Sequence, residues 1–195
     1  MLGQEEILKI FHETGVWQKG HFLLTSGRHS DNYLQCAKVL QYPRYNEVLC
    51  REIARRFAED EIDVVAAPAI GGILIAYEVA RQLNTKMLFT ERVGEKMTLR
   101  RGFTLEPGAK VLVVEDVITT GGSVQEVIDL LKEQGGNISG VATFIDRSGG
   151  KVIFPPRSEA LLSMKVLSYS PEECPLCQAG LPIEKPGSRK LVKEG

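Results

Sequence analysis

Apolar positions recur along this chain at two different periods, and the switch between them outlines its architecture. Between Gln4 and Thr14, Ile7, Leu8, Ile10 and Phe11 fall at helical spacing, which predicts a short amphipathic helix ended by Gly15. A glycine- and polar-rich stretch follows. From Tyr45 to Asp60, Val48, Leu49, Ile53, Ala54 and Phe57 share one face, with Arg51, Glu52, Arg55 and Arg56 on the other, which predicts a second helix. Beyond it the apolar runs shorten and become β-branched. Asp63 to Ala67, Met87 to Thr90, Lys110 to Glu115 and Ile138 to Ile145 each read as strands. Helical patterns run from Gly71-Gly72 through Arg81 and from Ser123 to Gln134, the second stopped by Gly135-Gly136.

Nearly continuous apolar strands alternating with helices of about 12 residues predict an α/β fold with a mainly parallel central sheet flanked by helices on both faces. Ligands bind such sheets at the carboxyl ends of the strands, so the loops after Ala67, Thr90, Asp116 and Ile145 are where chemistry is expected. No internal repeat and no clear linker occur before Pro182, from which a polar, basic tail is expected.

Composition narrows the function classes. At 195 residues, 43% hydrophobic and 25% charged, the chain has the balance of one soluble domain with a substantial core, which excludes disordered and fibrous readings. Twenty-four Lys and Arg against twenty-five Asp and Glu leave no basic excess for nucleic acid or membrane, so any anion site must be local. The longest uncharged run, Val64 to Tyr77, contains Pro68, Gly71 and Gly72 and falls short of the roughly 18 apolar residues of a membrane span. The N-terminus lacks the layout of an export or transit signal. Cys36, Cys50, Cys174 and Cys177 are too few and too scattered for a disulfide scaffold, which fits a cytoplasmic protein.

The densest chemistry lies in Val111-Leu112-Val113-Val114-Glu115-Asp116-Val117-Ile118-Thr119-Thr120-Gly121-Gly122-Ser123. Four apolar strand residues deliver two adjacent acids at a sheet edge, and a Thr-Thr-Gly-Gly-Ser turn leads into a helix. Glycines let the backbone approach a ligand, hydroxyls and free N–H groups donate to it, and the helix dipole favours an anion. The acids would repel the phosphate itself, so they are assigned to sugar hydroxyls or to a Mg²⁺ ion that accompanies a phosphate ester. Phosphate, diol and metal together describe a phosphorylated ribose. The bland alternative is a glycine turn with Ser123 as helix cap and two solvated carboxylates. Other nucleotide motifs fail on residues: no G-x-G-x-x-G follows a strand, and no Gly-Lys-Ser/Thr occurs.

Two further segments stand at strand ends. Ala67-Pro68-Ala69-Ile70-Gly71-Gly72 passes from a strand through a proline turn to a helix start, where backbone N–H groups suit a pyrophosphate. Between Thr90 and Phe103, Glu91, Arg92, Glu95, Lys96, Arg100 and Arg101 follow no clean period, which reads as a basic loop able to close over a leaving anion.

Without a gap, the thirteen-residue segment matches the binding motif of type I phosphoribosyltransferases, and the chain resembles that family. The resemblance implies that Thr119 to Ser123, with Val117 and Ile118 beside them, hold the 5′-phosphate of phosphoribosyl pyrophosphate (PRPP). Glu115 and Asp116 would hold the ribose hydroxyls, with Mg²⁺ carried mainly by PRPP oxygens and touching these acids through water. Ile70, Gly71 and Gly72 would contact the pyrophosphate. Arg92, Lys96 and Arg100 would act with Asp116 in catalysis, as the catalytic loop of the family does. The core is then expected over about 45–150, a hood over about 1–44 and 151–181, and a flexible tail over about 182–195, all within a single domain.

The acceptor side points to one branch. His21 to Tyr33 resembles the Ser-Gly-Arg-x-Ser-x-x-Tyr segment of orotate phosphoribosyltransferases, and Asp146-Arg147 is similar to the Asp-Arg pair that ends a core strand there. The resemblance assigns orotate contacts to Ser26, Arg28, Tyr33, Thr119 and Arg147. A guanidinium suits a carboxylate beside ring carbonyls because it donates two parallel hydrogen bonds. Such enzymes make orotidine 5′-monophosphate and pyrophosphate from orotate and PRPP, usually as homodimers that share the catalytic loop. A transferase for a purine or uracil, and a PRPP-sensing regulator, are the alternatives. Two positions depart from the family pattern: Thr25 stands where many members have lysine, and the loop has no histidine after Lys96.

Cys174-Pro175-Leu176-Cys177 follows Ser170-Pro171-Glu172-Glu173, which places both thiols on one side of a short helix. They are read as structural thiols. A zinc site would need two more ligands, which Cys36 and Cys50 supply only if the fold brings them close. His12, His21 and His29 show no metal-ligand spacing, and His29 is placed in a solvated loop or at the acceptor pocket. Trp17 is assigned to the core.

Overall fold

Val64–Pro68 is buried along its whole length, and a strand covered on both faces must lie inside a sheet with layers on either side. The computed structural model, which describes residues 1–24 and 26–186, shows that arrangement. In chain order come α1 (Gln4–Glu13), β1 (Trp17–Leu23), β2 (His29–Leu34), a 3₁₀ turn (Cys36–Gln41), α2 (Pro43–Arg56), β3 (Val64–Pro68), α3 (Gly71–Leu83), β4 (Lys86–Val93) and β5 (Lys96–Leu99). There follow β6 (Lys110–Ile118), α4 (Gly122–Glu133), β7 (Asn137–Asp146), β8 (Ser158–Ser163), a second 3₁₀ turn (Pro171–Glu173) and the four-residue α5 (Pro175–Gln178). A six-stranded sheet has the order β5-β4-β3-β6-β7-β8, all parallel except β5.

The side chains of β6 alternate between the two layers. Leu112 and Val114 pack with Phe11, Leu49, Ile53, Phe57, Ile75 and Phe144 beneath α1, α2 and α3, whereas Val111 and Val113 pack with Val124, Val127, Ile128 and Leu131 of α4. The expected α/β fold with its mainly parallel sheet is therefore present. Its layers bring the carboxyl ends of β3, β4, β6 and β7 to one edge.

Three expectations change. The segment after Thr90 is not an irregular loop: β4 runs on to Val93 and turns into β5, with Thr90 paired to Leu99 and Val93 to Lys96. Its charged residues suit an edge hairpin facing solvent, which shows no apolar period. β8 lies within the segment assigned to the hood but pairs with β7 in the main sheet, Ile145 opposite Leu162. The tail expected from Pro182 is not free at its start, because Glu184 bridges Phe22, its N–H donating to the His21 carbonyl at 2.7 Å. The rest of that expected tail from residue 187, and Thr25, lie outside the described residues. The hood consists of the antiparallel β1–β2 pair, to which the C-terminal segment returns at Tyr169 and Glu184. Trp17 packs against the core as assigned, half-buried, its indole N–H donating to Asn32 and its ring stacked on His12. Among the described residues no helix is long and apolar enough to cross a membrane.

Candidate active site

Four apolar residues of β6 are fully buried, and their burial fixes where the strand releases its polar end. Thr119, Thr120, Gly121, Gly122 and Ser123 then line a pocket of about 120 Å³ with Glu115, Val117, Ile118 and Val124. Gly121 has a φ of +79°, and a Cβ there would lie 2.7 Å from the side chains of Phe154 and Val152, so the turn demands glycine on both counts. α4 begins at Gly122 with no acid in its first turn. The unpaired N–H groups of that turn and the exposed hydroxyl-bearing residues Thr119, Thr120 and Ser123 give the pocket a donor-rich lining of the kind that suits an oxyanion.

Glu115 and Asp116 stand at its rim. The Asp116 N–H donates to Glu115 Oε1 at 3.1 Å and the Val117 N–H to Asp116 Oδ1 at 2.8 Å, but neither carboxylate has an ion-pair partner among the described residues. Burial, and after it the neighbouring charge of Asp116, pushes the Glu115 carboxyl up to about 8; burial raises Asp116 as well. The pair therefore favours a ligand that brings hydroxyl donors or a cation. Its donors are oxygen only, which suits a hard ion such as Mg²⁺.

The turn before α3 closes on the same acids. A Cβ on Gly71 would lie 3.0 Å from the Asp116 carboxyl, and one on Gly72 would lie 2.7 Å from the Ala67 Cβ and 3.5 Å from Glu115 Oε1. The Ala69–Ile70 peptide bond is cis, and Ile70 is 84% exposed. Two loops far apart in sequence thus meet across one carboxylate pair.

The cations of the hairpin are placed less centrally. Arg92 is held by Glu126 of α4 at 2.7 Å and by the Glu95 carbonyl at 2.6 Å. Arg101 pairs with Glu91. Lys96 and Arg100 are exposed and have no ion-pair partner among the described residues.

On the acceptor side, the Arg147 N–H donates to the Ile118 carbonyl at 2.8 Å, which ties the end of β7 to the start of the phosphate turn. Its Nε is buried without a hydrogen-bond partner, and burial holds its pKa below the usual arginine range, with Cys36 and Tyr33 opposing that shift. Asp146 does not bind Arg147. It accepts the N–H groups of Ser148 and Gly150 at 2.7 Å and the Ser163 hydroxyl at 3.0 Å. Burial opposes its ionisation, but these donors hold its carboxyl below the ordinary range and fix the loop that carries Arg147.

Tyr33 lies within electrostatic reach of Arg147, and the exposed Arg28 donates from its Nε to the Ser168 hydroxyl at 2.9 Å and from Nη2 to the Ser168 carbonyl at 2.7 Å. Ser26 is exposed. Sequence reasoning missed Cys36. It is buried where Asp116, Arg147 and Glu115 all act on it, and burial followed by the charge of Asp116 pushes its thiol well above its ordinary range. A lone cysteine in a polar stretch carries no signal of that position. His29 does not line the acceptor pocket either. It is buried against His21 and Cys177. Cys36 and Cys50 do not join Cys174 and Cys177, because Cys50 is buried against Asn46 and Ile75.

Comparison with known proteins agrees with this geometry. Residues 45–153 match the family model described as phosphoribosyl transferase domain. The orotate phosphoribosyltransferase of Pelotomaculum thermopropionicum is 57% identical over 188 residues, covering 96% of this chain and 99% of that protein. The protein of the same name from Thermoanaerobacter sp. is 58% identical over 188 residues, with the same two coverages. Among solved structures, the orotate phosphoribosyltransferase of Mycobacterium tuberculosis in complex with inorganic phosphate shares the fold at a TM-score of 0.66 and 22% identity, covering 82% of this chain and 95% of that one.

Proposed function

The chain belongs to the phosphoribosyltransferase family, and on that premise we infer that it transfers the phosphoribosyl group of PRPP to orotate, giving orotidine 5′-monophosphate and pyrophosphate in de novo pyrimidine synthesis. The observation that carries the choice of acceptor is Arg147: a half-buried guanidinium whose buried Nε has no hydrogen-bond partner, bonded through its backbone to the turn at Ile118. A purine has no carboxylate to satisfy such a cation, and orotate has one beside a ring carbonyl.

In this reading Thr119 to Ser123 grip the 5′-phosphate, and Glu115 and Asp116 accept hydrogen bonds from the ribose hydroxyls. Gly71 and Gly72 admit the pyrophosphate close to the backbone. Orotate is already anionic, so no side-chain nucleophile is needed. Its ring nitrogen bonds to the anomeric carbon as the bond to the pyrophosphate oxygen breaks, and the proton of that nitrogen passes to the departing pyrophosphate. The residues lower the barrier by holding the two reactants in line and by countering charge on the leaving group. Lys96 and Arg100, exposed on the β4–β5 hairpin, are the cations free to fold over that group, with Arg92 joining them once it releases Glu126. Bound with PRPP, Mg²⁺ supplies further neutralisation of pyrophosphate charge, and the oxygen donors of Glu115 and Asp116 would hold it through water. The chain is assigned to the cytoplasm, supported by its four free cysteines, and to a homodimer whose hairpins serve the partner's site.

Steady-state kinetics of Arg147→Ala test the acceptor assignment. The kcat/KM for orotate is expected to fall about 100-fold while the affinity for PRPP stays within about twofold. An unchanged kcat/KM, or a wild-type chain that does not consume orotate, would overturn it.

A further inference from the structure

A second group of ligating atoms gathers where the C-terminal segment crosses the β1–β2 hairpin. His21 Nε2 and His29 Nδ1 are 3.0 Å apart. Cys174 Sγ lies 3.5 Å from His21 Nε2, and Cys177 Sγ lies 3.7 Å from His21 Nε2 and 3.3 Å from His29 Nδ1. All four atoms fall within 4.8 Å of one another, and both cysteines are free. His21, His29 and Cys174 are buried, and Cys177 closes the group at the surface.

Hydrogen bonding uses only part of this convergence. His21 Nδ1 faces the Leu181 carbonyl at 2.9 Å, and a carbonyl only accepts, so Nδ1 carries the proton and Nε2 of the neutral ring offers one lone pair. Three polar atoms approach that single lone pair, and only one donor can use it. Cys177 can instead donate to His29 Nδ1 at 3.3 Å, but two weak thiol–imidazole bonds give little reason for four such groups to converge. A divalent cation at the centre engages Nε2, Nδ1 and both sulfurs at once. Tetrahedral zinc, with Zn–N about 2.0 Å and Zn–S about 2.3 Å, requires N···N of about 3.3 Å and N···S of about 3.5 Å, and the four separations given above lie within about 0.3 Å of these. Two thiolates also cancel the charge of the ion, which suits a buried site. The bond from His21 to Leu181 fixes the ring in the tautomer that ligation needs.

We propose that His21, His29, Cys174 and Cys177 bind one zinc ion in a closed structural site. Mixed imidazole and thiolate donors select zinc over Mg²⁺ or Ca²⁺, and four protein ligands leave no open position for catalysis. The ion staples the C-terminal segment to the hood. The same junction carries the Ser30 hydroxyl on the Leu167 carbonyl at 2.7 Å, the His29–Tyr169 bridge and Arg28 on Ser168. The proposal rests on none of the assignments of the PRPP site.

Metal analysis of the full-length protein, expressed with added zinc and dialysed, tests it. About one zinc per chain is expected, falling below about a tenth in the double variant Cys174→Ser, Cys177→Ser. Because that variant can fail to fold, Co²⁺ is also titrated into metal-stripped wild-type protein. Saturation at about one equivalent is expected, with thiolate-to-cobalt charge-transfer absorption and the intense visible bands of a tetrahedral ion. Chelation is expected to lower the Tm by about 10 °C. A zinc-free wild-type protein, a cobalt spectrum matching the aqueous octahedral ion, or a Cys174–Cys177 disulfide in protein isolated with zinc and no added oxidant would overturn the proposal.

Discussion

Glu115, near the end of β6, and Arg147, just past the end of β7, are both partly withdrawn from water and both without a partner of opposite charge among the described residues. Such groups cost stability, and their cost is readable in pH. The Glu115 carboxyl rises from 4.5 to about 8 on folding, so between those values the folded chain holds a proton that the unfolded chain has released. Stability contributed by the protonated acid is therefore lost as pH rises through that window. The Tm of the ligand-free protein should fall between about pH 5 and about pH 8, and Glu115→Gln should flatten that fall. Equal slopes for the two proteins would show that Glu115 is not the buried titrating group. Most residues of the site were legible in sequence because they follow apolar strands at predictable ends, as Glu115, Thr119 and Arg147 do. Cys36 was not, since its place beside the acids depends on a 3₁₀ turn that no periodicity announces.

Among the elements, legibility follows burial. β3 and the Val111–Val114 stretch of β6 carry unbroken apolar residues because both faces are covered, and α4 shows a helical stripe because one face is. The β4–β5 hairpin has neither constraint beyond Thr90, and its charged side chains hid the strand pairing. Regular pairing places Lys96 on β5 and Arg100 directly after it, in place of an irregular loop. Lys96→Ala should leave the Tm unchanged, because the side chain is exposed and unpaired, while lowering kcat about 100-fold through the lost charge on the leaving group. A kcat within about twofold of wild type would remove Lys96 from the mechanism.

For the whole molecule, the long returns of the chain matter most. The C-terminal segment comes back across the hood to set His21 against Cys174, 153 positions away. No spacing rule in the sequence links residues so distant, which is why the two histidines showed no ligand pattern. The shared-site dimer belongs to this scale as well. Mixing Lys96→Ala with a Gly121→Val phosphate-turn variant should restore part of the lost activity if hairpins serve the partner's site, whereas no recovery after verified subunit exchange would place each hairpin over its own. The central claim is that one strand edge joins a PRPP cradle to an orotate-reading arginine. It is tested most directly by supplying the purified protein with PRPP and Mg²⁺ and offering orotate, uracil, adenine, guanine and hypoxanthine in parallel. Loss of the orotate ultraviolet band, matched by pyrophosphate release and absent with the other bases, is the predicted result. Turnover of another base alone, or PRPP binding with no turnover of any base, would contradict it.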